Sequence, residues 1–413
     1  MSTTVLNNAT LNAFEEAFNS VNRTPQQIAA FDAFCKMGLP TSKAEEYRFT
    51  PIGKFLEANF DLSLYGQALE TQTSKPVQED CISITIINGN LIVDETELVQ
   101  SGISVSMRDV SNLFSKADSF VVLNHAFIDK EIHINISKNV IVEKAIALHH
   151  IMDSEAGQIM QNTRIAMDLG ENSSCNIIES FHSTGIHPVF TNVVSEYRLH
   201  TNARLNYYRL QNDAGAYQVY HSTIRQLGKS EVNSFIFSFD GNVIRNNSIF
   251  SIEAEHCESN FYGLYLPSGK SLIDNHTVAD HRVAHCVSNE LYKGIMSDNG
   301  KGVFNGKIFV RPDAQKTNAF QSNRNILLSD TAFVNTKPQL EIWADDVKCS
   351  HGCTTGQLDK EALFYLQSRG ISNENAKTML LSAFASEVIN KIQDQNLRAE
   401  IEKLVSYRLH NPY

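Results

Sequence analysis

The sequence predicts a mainly β chain, a parallel β-helix flanked by an N-terminal and a C-terminal helical domain. Three observations carry that prediction. Short β-type segments between polar turns fill the stretch 116–355, a similar asparagine setting recurs within it, and apolar residues fall at helical spacing near the start and after Gly356. The expected organisation is 1–115 as a helical domain with a β-hairpin, 116–355 as the β-helix core and 356–413 as a second helical domain.

Thr24-Pro25-Gln26-Gln27 combines an N-cap, a proline at the first helical position and a capping-box glutamine, so a helix begins there. Ile28, Phe31 and Phe34 continue it at helical spacing until Gly38-Leu39-Pro40 stops it. From Ile82 the pattern changes to ISITIINGNLIV, in which β-branched residues alternate around Asn88-Gly89, a hairpin signal. Further on, SSCNII, ARLNYY, SEVNSF, CESNFY and CVSNEL place Asn176, Asn206, Asn233, Asn260 and Asn289 at intervals of 30, 27, 27 and 29 residues. Such a period suits stacked coils, because asparagine tolerates left-handed backbone and bonds to nearby peptide groups at a corner.

After Gly356, Asp359 is the expected N-cap of KEALFYLQSR and Gly370 its stop. Ser372 starts a second helix with Ala376, Leu380, Ala383, Phe384 and Val388 on one stripe, and Leu397, Ile401, Leu404 and Val405 mark a third.

The chain of 413 residues opens without a basic region followed by an apolar core, and no stretch reaches the ~18 apolar residues that span a bilayer. A soluble, cytoplasmic protein is expected. Seven scattered cysteines without an export signal predict reduced thiols. A net charge of −11 repels phosphate backbones and anionic membranes, so neither nucleic acid nor a membrane is an expected partner. The phosphate-loop pattern GxxxxGK[ST] is absent, as are GxGxxG and GxSxG.

Two dense donor clusters stand out. DNHTVADHRVAHC carries His276, His281, His285 and Cys286; on a helix His281 and His285 would share a face as metal ligands, whereas in a β context they fall on different strands and corners. His149-His150 is a weaker pair, since neighbours on a strand face opposite ways.

KCSHGC places Cys349, His351 and Cys353 at alternate positions. On a strand these point to one face with ~6.6 Å between successive Cα atoms, a row that cannot close on a single zinc without a bend. The two cysteine Cα atoms would lie ~13 Å apart, beyond the ~7 Å reach of a disulfide, unless Gly352 turned the chain. A row can instead offer thiolate and imidazole donors to a site completed by another chain, or it can be a strand end with small buried thiols.

This row is embedded in ADDVKCSHGCTTGQLDKEALFYLQSRGIS, which resembles the C-terminal signature of the SufB/SufD family of iron-sulfur cluster assembly proteins. The likeness continues upstream through DNHTVADH, SNELYKG, FNGKIFV, AQKTNAFQSNRNILLSD and LEIWADD, and GLPTSKAEEYRFTPI looks like the family's early helical segment. HGxTxGQLD, FYLxSRGI and the short length are more similar to the SufD branch than to SufB.

The resemblance implies a right-handed parallel β-helix and a non-catalytic subunit of the SUF (SufBCD) scaffold. Its partners would be a SufB-like sister subunit and a SufC-like ABC ATPase, with iron acquisition and de novo cluster formation at the SufB-SufD interface. By motif position the interface histidine is His351, a ligand of transient iron or cluster shared with the partner; Cys349 also falls on a family position. Cys353 stands where alanine is usual. ATPase docking falls to the C-terminal helices, at Phe364, Arg369 and Gly370. No tightly bound cofactor is implied, only a transient iron-sulfur cluster on the complex, with reduced flavin as a further ligand suggested for it.

Two other readings stay open from the residues. One is a stand-alone metal-dependent β-helix enzyme using the His276 to Cys286 patch. The other is a purely structural scaffold subunit, and an unpaired β-helix end also leaves room for a homodimer of the isolated chain.

Overall fold

The structure, a computed structural model, describes residues 8–59, 81–110, 118–155 and 157–410; the expected boundary at 115 lies outside the described residues. Most of the chain winds into a β-solenoid of about eight turns, with helices at both ends. Each coil contributes one strand to each of two sheets, so neighbouring coils pair in parallel.

The first sheet runs in the order Asn90–Val93, Ile82–Ile87, Ile146–Asp153, Ser174–Thr184, Arg204–Asn212, Glu231–Asp240, Glu258–Tyr265, Val287–Met296, Asn318–Leu327 and Lys348–Gly356. The second runs Ile103–Arg108, Glu131–Ile136, Ile159–Leu169, Val189–Leu199, Tyr217–Gln226, Val243–Ile252, Leu272–His281, Lys301–Val310 and Phe333–Thr336, and Gln339–Ile342 also pairs with Lys301–Val310. Among the described residues pairing is antiparallel only at the starting edges, where Asn90–Val93 and Ile103–Arg108 lie. The Asn88-Gly89 turn has φ of 45° and 86°, as a two-residue hairpin requires, and the strand before it pairs in parallel with Ile146–Asp153. The hairpin grouped with the N-terminal segment therefore opens the first sheet.

Strand alternation sends every second side chain into the space between the sheets. Ile177, Leu205, Val232, Phe261, Ile273 and Phe304 belong to that inner core. Both outer faces are covered. Phe14, Phe31, Phe34 and Leu56 from the N-terminal helices pack with Phe190, Val219 and Val303 of the second sheet. Leu381, Val388, Leu397, Ile401 and Val405 from the C-terminal helices pack with Phe235, Phe237 and Leu264 of the first. The covered strands bury residues on both faces, as parallel sheets do, with polar ones such as Arg209 and Arg245 among the apolar.

The Pro25–Met37 helix begins with the reciprocal Thr24–Gln27 capping box and ends at Gly38, φ 66°. Asp359 and Ser372 cap the Lys360–Ser368 and Asn373–Ile389 helices, and Gly370, φ 85°, separates them. On Asn373–Ile389 the buried stripe is Ala376, Leu381, Ala385, Val388 and Ile389; Ala383 of the expected stripe is exposed, a rotation set by which face meets the sheet. Within the stretch read as β, SFVVLNHAF forms the Ser119–Phe127 helix, buried along nearly its whole length. Its valines resemble a strand, and packing between the N-terminal helices and the second sheet overrides that local preference.

The asparagine series is stacked as its period predicts, but its place differs. Each of Asn206, Asn233, Asn260 and Asn289 donates through Nδ2 to Oδ1 of the asparagine one coil earlier, at 2.9 to 3.0 Å. These residues lie on strands, in register. The left-handed corner belongs to a second series, Asn139, Asn172 and Asn202, with φ of 62°, 57° and 58° and its own amide ladder. A carboxamide can donate one N–H to the coil before and accept one from the coil after across a ~4.8 Å stack, so both places select asparagine. Among the described residues no helix is long and apolar enough to cross a membrane.

Candidate functional site at the open end of the solenoid

Lys348–Gly356 is the last strand of the first sheet and pairs only with Asn318–Leu327, from Asn318 with Lys348 to Ile326 with Gly356. The second sheet closes with the short strands Phe333–Thr336 and Gln339–Ile342, so nothing among the described residues stacks on this final coil. An edge strand with unpaired peptide groups is a template for another chain. Phe320, Phe333, Ile342 and Trp343 around it are 44%, 51%, 41% and 49% exposed, an unusual concentration of large apolar side chains at one end.

The KCSHGC strand is unbroken and Gly352 does not turn it, so Cys349, His351 and Cys353 lie in a row. The row faces inward. Cys349 packs against the solenoid core, and burial pushes its thiol up from the ordinary value. The Cys353 thiol reaches across to the second sheet and donates to Thr336 Oγ1 at 3.1 Å, with Asn323 Oδ1 at 3.7 Å. His351, between them on the same face, is exposed because no further coil covers it. Neither Cys349 nor Cys353 forms a disulfide. Among the described residues no group of three or more His, Cys, Asp and Glu side chains is gathered as a metal site.

The His276 to Cys286 patch is dispersed. His276 points outward, where its Nε2 accepts from Arg245 at 2.8 Å and its Nδ1 lies 3.2 Å from Glu46. With Asp274, Thr50 and Lys307 it ties the Glu45–Tyr47 segment to the second sheet. His281 points inward to Ser288 Oγ at 2.8 Å, and burial lowers it to about 4. His285 sits at a left-handed corner, φ 60°, stacked on His256, while Cys286 is buried with Cys257. His149 and His150 point to opposite faces, His149 to Ser180 and His150 to the buried carboxylate of Glu179.

Residues 150–384 match the family model described as "SUF system FeS cluster assembly, SufBD core domain". The chain is 30% identical over 401 residues to the iron-sulfur cluster assembly protein SufD of Escherichia coli K12, covering 94% of this chain and 93% of that protein. The chain belongs to the SufBD family. An iron-sulfur cluster assembly SufBD family protein of Synechocystis is 28% identical over 407 residues, covering 92% of this chain and 89% of its own. A chloroplastic protein of Arabidopsis thaliana is 31% identical over 295 residues, 69% of this chain and 62% of that protein.

In this SufBD chain the matched core runs from the Ile146–Asp153 strand into the Asn373–Ile389 helix, so it takes in the terminal row. Beyond the row, Lys360–Ser368 contains no buried residue. Phe364 and Tyr365 are 72% and 57% exposed, and the Arg369 guanidinium lies 5.3 Å above the Tyr365 ring. The next two helices are anchored instead: Lys293 Nζ donates to Phe384 O at 2.9 Å and pairs with Glu387, and Arg408 reaches Asn212 and Asp240.

Sequence reasoning located the row but missed what lies beneath it. Glu290 and Gln321 occupy the same inward column as His351 on the two preceding coils, and both are buried. Their spacings of 31 and 30 residues continue the solenoid period, which is the signal that finds them.

Proposed function

We propose that this chain is a non-catalytic subunit of a SUF-type assembly complex that presents His351, supported by Cys349, to a SufB-like sister subunit. The observation that carries the reading is the inward row of Cys349 and His351 on a final strand whose outer edge has no partner among the described residues. A thiol and an imidazole spaced along a strand cannot enclose an ion alone, whereas a facing strand from a second chain supplies the missing donors. Iron and sulfide are then cargo at a shared interface, and Cys or His ligation suits both iron and the growing cluster. The exposed apolar ring of Phe320, Phe333 and Trp343 supports a protein contact around that interface.

The unburied Lys360–Ser368 helix, with Phe364 outward and Arg369 and Gly370 at its end, is read as the docking surface for a SufC-like ATPase. ATP-driven closure of that partner would pull on helices that pack directly on the first sheet.

Co-expression with SufB-like and SufC-like partners without oxygen tests the reading. His351→Ala is expected to leave the complex intact while its iron and sulfide content falls several-fold; undiminished content would leave only the scaffold role. Phe364→Ala and Gly370→Asp are expected to reduce the SufC-like protein retained on affinity purification. Normal retention in both variants would show that docking lies elsewhere.

A further inference from the structure

Phe261, Glu290, Gln321 and His351 are register partners on four successive coils, all facing inward. Glu290 and Gln321 are only 5% and 3% exposed. Gln321 Nε2 donates to Glu290 Oε2 at 2.6 Å, which fixes the amide on its buried side. A Cβ on Gly306 of the opposite sheet would come within 2.3 Å of that same Nε2, so the lumen is hollowed to hold this amide. Yet Gln321 Oε1 has no hydrogen-bond partner among the described residues, whereas Glu290 also has the Thr277 side chain beside it. A buried acceptor left unsatisfied costs about 1–3 kcal/mol, which makes it a place to look for a missing donor.

The candidate donor is one coil away. Neighbouring parallel strands lie ~4.8 Å apart, within reach of a glutamine Oε1 and an imidazole N–H on adjacent in-register residues. Neither ring nitrogen of His351 is hydrogen-bonded among the described residues. An imidazole used as a ligand needs its other nitrogen held by an acceptor, which sets the tautomer and the direction of the free lone pair.

We propose that Gln321, clamped by Glu290, is a positioning residue for His351, its Oε1 accepting the ring N–H so that the other nitrogen faces out of the open solenoid end. The proposal rests on the reading of His351 as a donor at a shared interface, and it adds how one chain orients that donor before a partner arrives. Burial pushes Glu290 up to about 7, so the carboxyl accepts from the Gln321 amide whether or not it carries its proton.

The test reads the tautomer of His351 in the full chain labelled with 15N-histidine, with its signals assigned by their loss in His351→Ala. Above neutral pH the native protein is expected to show one protonated and one unprotonated ring nitrogen. Gln321→Leu should bring the two shifts towards an average; if that variant does not fold, Gln321→Met keeps the length without the acceptor. Glu290→Gln, which still accepts from the amide, should keep the native pattern, and Glu290→Leu should lose it. A native spectrum that is already averaged, or one unchanged by loss of the Gln321 acceptor, overturns the proposal. Cluster content of the co-expressed His351→Ala complex decides the interface reading separately, because the tautomer is measured without partner, iron or sulfide.

Discussion

The middle and the last coil of the solenoid use inward-facing polar residues in opposite ways. In the middle, Glu179 and Arg209 are fully buried. Burial pushes the Glu179 carboxyl up, but bonds from His150 and Tyr207 and the charge of Arg209 reverse this and hold it below the usual carboxylate range. Tyr220 also donates to it at 2.8 Å, and the Arg209 guanidinium lies 3.2 Å over the Tyr220 ring. In the last coil, His351 has coil neighbours on one side only and is exposed. An inward polar residue is therefore part of the packing wherever the lumen is closed, and available for chemistry where it opens.

Substitutions at the two levels can break that contrast. The largest effect is expected from Arg209→Met, which strands the Glu179 charge in the lumen. Removing one partner of a buried ion pair costs about 3–5 kcal/mol, read as a lower denaturant midpoint. A loss under 1 kcal/mol would mean that water reaches the lumen.

Next comes a pH effect two coils beneath His351, in its own column. An unfolded glutamate ionises near ~4.3, whereas burial raises Glu290 to about 7. Between these values the folded chain holds the extra proton, so this group's contribution is fully present below ~4.3 and is lost as pH rises through about 7. The loss is up to about 4 kcal/mol. Glu290→Gln should flatten stability against pH over that window; an unaltered slope would place the titration elsewhere.

A smaller loss is expected at the outer ladder. Asn233→Ala removes the bonds to Asn206 and from Asn260, about 1–2 kcal/mol together. Smallest of all, His351→Ala should lower the unfolding free energy by at most about 1 kcal/mol, the net worth of the single hydrogen bond proposed to Gln321. A large destabilisation there would make His351 a packing residue and remove the contrast.

Much of the fold was legible because its signals are local. The Thr24 capping box, the Asn88-Gly89 hairpin, the Asp359 and Ser372 caps and the Gly370 stop all stand where the residues place them. The period of Asn176 to Asn289 is that of the coils. The Ser119–Phe127 helix was not legible, since its valines suit a strand until neighbouring helices bury them, and the rotation of the Asn373–Ile389 stripe depended on the face that meets the sheet. For the site, alternation put Cys349, His351 and Cys353 on one face, but whether that face looked into the core, into solvent or onto a helix was not encoded locally.

By itself the sequence determined the solenoid period, the helical ends and the linear character of the KCSHGC donors, because period, capping and strand alternation are short-range properties of the backbone. Only the tertiary structure decided that the row lies at an open end rather than inside a closed coil, that the His276 to Cys286 residues scatter to opposite faces, and that Gln321 and Glu290 stand behind His351. Those facts follow from how coils about thirty residues apart fall into register, and pairwise stacking over that distance is set by the packed lumen rather than by any one segment.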